Sequence, residues 1–430
     1  MFHFAQLLVS ALLATTVLAA PAAPSGGVLR PIVNQGVSKV FNPEDMTELV
    51  KADYARARAA STGSLAGDVG GGMSSFAAVS KNGTSSNAIG SAHATNNAIY
   101  YTTAVQVGSP SLNYQLIIDT GSANTWVGAK TKYVKTSGAI NTGSHMVINY
   151  QSAQMQGYLY YDKLALSSTI TVASQAIGVA SSQRGFDGTD GVLGLGPKRL
   201  SRGTTSQGTS VELPTITDNL WQKKVISDNV VSLSFAPANQ VGTINGQITF
   251  GGVDSTRYNS KLTYTPICKE WPCNSYWGVD ASSINYGTTQ LFTQTSIPSI
   301  IETGLTLIYF SSDAFKKYQS ATGAVMDTTT GLLKASTAQI AALKTIDITV
   351  AGVKYPITPN AQLWPRSLNT AIGGAAYNNY LVIADLGTKS GSGLDVILGQ
   401  KVVERLYFTF DSTNKRVGMA TTSYTNSTIN

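Results

Sequence analysis

From about Tyr100 onward the chain is punctuated by short runs of Tyr, Phe, Val, Ile and Thr bounded by Gly, Pro, Asn or Asp. Tyr100–Val107, Tyr114–Asp119, Gln247–Phe250, Leu262–Ile267 and Leu406–Asp411 are examples, and this pattern predicts strands joined by tight turns. Helical patterns are few: Pro214–Val225, and Ser312–Ser320 with a serine placed to cap its first turn. The region from Ala98 to the end is therefore expected to be mostly β. Upstream the pattern changes twice. Leu7–Ala20 is an apolar run ending in small residues, which predicts a signal peptide cleaved after Ala19 or Ala20. It is well short of the ~20 apolar residues a membrane span needs. No later stretch reaches that length, and the polar C-terminus does not fit a lipid-anchor signal. Asn42–Ala60 has modest helical character, and positions 61–92 hold 7 Gly and 8 Ser, the composition of a flexible linker.

A signal peptide (1–20), a helical segment with its linker (21–92) and a large β region together suggest a secreted, extracellular zymogen. The alternative is a disordered N-terminal extension. The β region is expected to divide into an N-terminal part over 93–268 and a C-terminal part over 269–430. The exposed backbone of the Gly/Ser linker predicts a mature N-terminus between Ser80 and Asn97.

Composition narrows the classes. Of the 430 residues 43% are apolar and 12% charged, against a usual charged share of roughly a quarter, which excludes a disordered chain. The net charge of +7 is dispersed in isolated pairs such as Lys198–Arg199 and Lys316–Lys317, so no nucleic-acid groove is expected. Two cysteines and three histidines, one of them in the leader, leave little for metal or triad chemistry. No cofactor and no metal are expected, nor a membrane partner, and the protein is expected to be a monomer.

The chemistry lies in a repeated element. Ile117 opens the run IIDTGSANTWVGA, and Ser299 opens SIIETGLTLIYF. In each a β-branched pair leads into an acid, then Thr-Gly. Asp119 and Glu302 stand 183 residues apart, about one lobe's length, and each is followed by an apolar-apolar-Gly element, Val192-Leu193-Gly194 and Ile397-Leu398-Gly399. A lone Asp-Thr-Gly carries little weight; the duplicated arrangement carries much.

With Asp190–Gly194, Phe250–Asp254, Tyr276–Gly278 and Trp364–Gly373, these motifs resemble the pepsin-type aspartic endopeptidases from about Asn97 to the C-terminus. The resemblance implies an all-β, two-lobed fold in which each lobe gives one acidic loop to a cleft. It implies Asp119 and Glu302 as catalytic carboxylates that share a proton, hold a water and cut peptide bonds between apolar residues at acid pH. Thr120 and Thr303 would buttress the loops, Gly121 and Gly304 would offer N–H groups, and Ser122 would bond the outer oxygen of Asp119. Tyr150, Gln151 and Ser152 in a flap, with Ile117 and Thr306 beside the loops, would contact a peptide or protein substrate.

Three departures touch these positions. Glu302 stands where the family has aspartate, and one extra methylene displaces a carboxylate by about 1.5 Å, where a roughly 1 Å error can cost on the order of 10²-fold in rate. Leu305 replaces a supporting Ser or Thr, which favours the protonated form of Glu302. The flap reads Tyr150-Gln151-Ser152-Ala153 without its two glycines, and a positive φ at Ala153 would cost about 1–2 kcal/mol. Two readings follow: an endopeptidase with weakened activity, or a pseudo-protease that binds peptides or a partner in the retained cleft. A two-carboxylate glycosidase finds no other support, and no Gly-x-Ser-x-Gly elbow is present.

Cys268 and Cys273 flank a four-residue loop and, in a secreted chain, are expected to form a disulfide. Asn82 and Asn426 satisfy the N-glycosylation pattern. From the N-terminal helical segment, Lys51 and Tyr54 are candidates to reach the cleft.

Overall fold

A computed structural model of the protein describes residues 48–63, 89–150 and 153–429. These all belong to one unit spanning Gly36–Asn430. The signal-peptide run, the Asn82 sequon, Gln151 and Ser152 lie outside the described residues, as does most of the Gly/Ser stretch.

The two acidic loops sit on parallel versions of one strand arrangement. Strand Leu112–Asp119 ends in the first acid and runs parallel to Gly191–Gly194, with Asp119 opposite Gly194. The latter pairs antiparallel with Trp126–Val127. In the second half Ile297–Ile301 leads into Glu302, runs parallel to Val396–Leu398, and that strand pairs antiparallel with Ile308–Phe310. The apolar-apolar-Gly elements are thus the neighbours that hold each acidic loop. Gly399 is required there: a Cβ would lie 2.0 Å from the Leu307 carbonyl oxygen. Next to the acids these strands are buried on both faces, and Leu116–Ile118, Ile300–Ile301 and Val396–Leu398 read as Ile, Leu and Val, as parallel strands do.

The first half belongs to a 13-stranded sheet and the second to an eight-stranded one. The larger sheet also takes in Leu406–Asp411 and Arg416–Thr421, which pair with Val230–Ser234 and Thr263–Pro266. Chain from beyond the expected 268/269 boundary therefore returns to the first sheet. Gly90–Asn96 pairs antiparallel with Thr243–Phe250. Ile140–Asn149 and Gln154–Ala165 form the hairpin whose tip carries Tyr150.

The expected helices occur as Ile216–Gln222 and Ser312–Thr322. The first begins with a capping box, Thr215 accepting from the Asp218 N–H while the Asp218 carboxylate accepts from Thr215 N–H. The second corrects the expected cap: its N-cap is Ser311, whose side chain makes no capping bond, and the Ser312 hydroxyl donates to Asp385 at 2.6 Å.

The N-terminal helix is Leu49–Ser61. Five alanines give it good intrinsic propensity. They also make one face small enough to lie close against the body, where Ala52, Asp53, Arg56, Ala57 and Ala60 are buried. It ends at Thr62, and Gly63 follows at φ +72°, packed so closely on the Trp271 ring that a Cβ would come within 2.0 Å of it. Trp271 sits in the loop closed by the Cys268–Cys273 disulfide, whose Cα atoms are 6.1 Å apart.

Candidate active site

Thr120 and Thr303 tie the two loops together by a reciprocal pattern. The Thr120 hydroxyl donates to the Ile301 carbonyl (2.9 Å) and accepts from Thr303 N–H (3.0 Å). The Thr303 hydroxyl donates to the Ile118 carbonyl (2.7 Å) and accepts from Thr120 N–H (3.0 Å). Four buried bonds at roughly 1 kcal/mol each fix the spacing of the acids that follow Ile118 and Ile301. Trp277 adds a further link across the molecule, its indole N–H donating to the Leu195 carbonyl at 2.8 Å.

Asp119 and Glu302 are both fully buried, yet their surroundings differ. Asp119 Oδ1 accepts from Gly121 N–H at 2.9 Å and Oδ2 from the Ser122 hydroxyl at 2.6 Å. Glu302 has no such donors among the described residues. Leu305, fully buried, supplies none, and Oε2 has no hydrogen-bond partner among the described residues. Gly304 lies against the other acid, where a Cβ would be 2.5 Å from Asp119 Oδ1. The longer side chain of Glu302 fits because residue 121 is glycine: a Cβ there would be 2.4 Å from Glu302 Cδ. Burial pushes Glu302 up to about 7; Arg56 opposes the shift and Asp119 adds to it.

The helix Leu49–Ser61 fills the space between the acids with Arg56. Its Nη2 donates to both oxygens of Asp119 at 2.7 Å, and its Nε donates to Glu302 Oε1 at 2.5 Å. The two carboxylates hold the guanidinium firmly in its charged form, against the cost of burial. Its Cζ lies 5.4 Å from the Tyr150 ring centre, at cation–π distance. One turn earlier Asp53 Oδ2 accepts from the backbone N–H groups of Thr306 (2.8 Å) and Leu307 (3.2 Å). Burial pushes Asp53 up to about 7 despite those two donors and nearby Arg56.

The helix corrects the residues expected to reach the cleft. Lys51 is exposed and pairs with Glu48 at 3.0 Å. Tyr54 is half-buried against the second half, its hydroxyl 2.6 Å from where a Cβ on Gly387 would stand. Arg56 and Asp53 take the central places. The signal for them was the face they share: Ala52, Asp53, Arg56, Ala57 and Ala60 recur at helical spacing, so the alanine stripe carries both charges inward.

Tyr150 is buried, accepts from the Trp126 indole N–H at 2.9 Å, and its N–H donates to the Ala153 carbonyl to close the hairpin. Ala153 is buried where the described part of the hairpin resumes. Ile117 is buried in the strand leading to Asp119. Thr306 is buried beneath the helix, its hydroxyl donating to the Ile99 carbonyl at 2.7 Å. Asn426 is exposed near the C-terminus.

Two strand-borne acids joined through reciprocal threonines across a two-part β structure define a class of hydrolase. Residues 100–422 match the family model described as eukaryotic aspartyl protease, and the chain belongs to that family, the pepsin-type aspartic endopeptidases. It is 47% identical over 344 residues to polyporopepsin of Irpex lacteus, a match spanning all of that protein and 80% of this one. Pepsin A of Bos taurus is 26% identical over 339 residues, covering 74% of this chain and 83% of the relative. The crystal structure of the aspartic proteinase from Irpex lacteus superposes with a TM-score of 0.77 at 48% identity, covering 80% of this chain and all of that one. No helix among the described residues is long and apolar enough to cross a membrane.

Proposed function

We propose that this chain is the precursor of a secreted endopeptidase, held closed by Arg56 and active once the N-terminal segment is removed. The observation that carries the reading is the guanidinium bonded to both acids at once, in the place where a substrate carbonyl and an attacking water would need to sit. About a fifth of the chain also lies outside the match to polyporopepsin, which covers that relative completely. The paired strand Gly90–Asn96 favours a maturation cut before Gly90, since cutting within it would break its pairing with Thr243–Phe250.

In the opened cleft the two acids take different parts. Asp119, with donors to each oxygen, suits the role of acceptor for the proton of an attacking water. Glu302, raised by burial, suits the role of acid that protonates the carbonyl oxygen as the tetrahedral carbon forms. Losing Arg56 removes an influence that lowers Glu302, while water entering the opened cleft relieves part of the burial that raises it. Thr303 and Gly304 keep the second loop in register, while Tyr150 on the flap, with Ile117 and Thr306, bounds the substrate channel. Substrates are peptides with large apolar residues flanking the cut bond.

One observation favours the second reading, a pseudo-protease: Glu302 Oε2 has no partner among the described residues, which position its carboxyl from one side only. Assay of the secreted product on casein at acid pH, with and without pepstatin, together with N-terminal sequencing, separates the two. Pepstatin-sensitive cleavage by a product starting between Ser80 and Gly90 supports the endopeptidase. A product of that length that folds and cuts nothing supports the pseudo-protease.

A further inference from the structure

The Asp119–Glu302 pair receives its cation in an unequal way. Both oxygens of Asp119 engage the terminal Nη2 of Arg56, whereas Glu302 engages Nε, the nitrogen inside the chain. Arginine and lysine differ at the very atom that Glu302 meets. The position that Nε occupies in arginine is Cε in lysine, a methylene with no hydrogen to donate, and the lysine nitrogen stops at the position of Cζ. A lysine at 56 laid along the same path would place a carbon against Glu302 Oε1. An aspartate at 302 would withdraw its oxygen from Nε by the length of one methylene. Gly121 leaves room for the longer acid to lie alongside.

We propose that Glu302 turns the carboxylate pair into a guanidinium-selective receptor, with Arg56 as its resident ligand and arginine-bearing peptides as the class it accepts from outside. The receptor has three sides: Asp119 on the terminal nitrogen, Glu302 on the inner nitrogen and the Tyr150 ring beside the plane. A lysine ammonium, a compact and strongly hydrated point charge, has no donor at the inner position and would meet both acids from the place of Cζ alone. Glu302 is thus a specificity-determining residue for what closes the cleft, separately from any part in hydrolysis. The inference rests on reading the helix as the segment that closes the cleft, and it does not require turnover.

Chemical rescue of the full chain tests it. Arg56→Ala removes the atoms that ethylguanidinium replaces, and propylammonium replaces the corresponding atoms of a lysine. At pH 8 and matched ionic strength, millimolar ethylguanidinium should raise Tm saturably and slow amide exchange of helix 49–61 by about tenfold, as a ligand of the folded state does. Propylammonium should do neither. In Arg56→Ala/Glu302→Asp the preference should fall to near unity. Equal rescue by the two cations, or an undiminished preference with Glu302→Asp, overturns the proposal. Should Arg56→Ala fail to fold, Arg56→Lys serves instead. It should speed helix exchange about tenfold or more beside Glu302, but less than about threefold in the Glu302→Asp background. The same acceleration in both backgrounds overturns it. A mature protein that cuts nothing would defeat the proposed activity and leave this result unaffected.

Discussion

The loops around Asp119 and Glu302 share strand order, register and a threonine that reaches across to the other half. They differ in what surrounds the carboxylate. Besides Arg56, Asp119 has Gly121 N–H on one oxygen and the Ser122 hydroxyl on the other, while among the described residues Glu302 has Arg56 alone and one oxygen without a partner. The backbone scaffold of a duplicated site is thus retained where its hydrogen-bond donors are not. Once the donors are gone, burial governs the second acid, and it moves toward its neutral form. That suits an acid catalyst and a loosely placed one at the same time.

The largest effect should come from the well-supplied loop. Asp119→Asn should remove activity by on the order of 10³-fold, since no other group can take the water's proton. Substantial remaining casein cleavage would place the base elsewhere. Next, restoring the missing donor through Leu305→Thr alongside Glu302→Asp should raise kcat about tenfold to a hundredfold over the parent, with little change in KM. A change in KM alone would mean that binding, not transition-state placement, was altered.

Smaller effects probe what the halves share. Thr120→Val and Thr303→Val should each lower stability by about 1–3 kcal/mol, because a buried N–H and a buried carbonyl lose their partner. A chemical denaturation curve unchanged by either would argue against the reciprocal bonds. Last is Asp53, held up at about 7 from an ordinary 3.8. A carboxyl raised by folding contributes stability that is full below the lower value and is lost as pH rises through the upper one. The full chain should therefore lose stability between about pH 4 and pH 7, by up to roughly 4 kcal/mol from this group. Asp53→Asn should flatten that part of the slope and leave the part due to Glu302. Parallel melting curves for parent and variant across that range would refute the assignment.

The repeated acid-Thr-Gly runs made the bilobal fold legible because each run carries its own partner strand, as Val192–Gly194 and Ile397–Gly399 show. The Cys268–Cys273 bond was equally local. Arg56 was not legible as a cleft residue, since the side chain that contacts the acids depends on the roll of the helix as it docks. Lys51 and Tyr54 have the right chemistry but lie off the alanine face. The sheet partners of the last strands were not legible for another reason: Leu406–Asp411 and Arg416–Thr421 join the first sheet through pairings 150 or more residues apart in sequence, which no local pattern records.

The central claim is that the second carboxylate, Glu302, limits an otherwise complete site. Its most direct test is single-turnover hydrolysis of an apolar peptide by the matured protein and its Glu302→Asp variant, both checked for folding and pepstatin binding. The account predicts slow, pepstatin-sensitive cleavage by the parent and a rate about tenfold or more higher for the variant. A variant that is slower than the parent, or as silent as it while binding pepstatin normally, would contradict it.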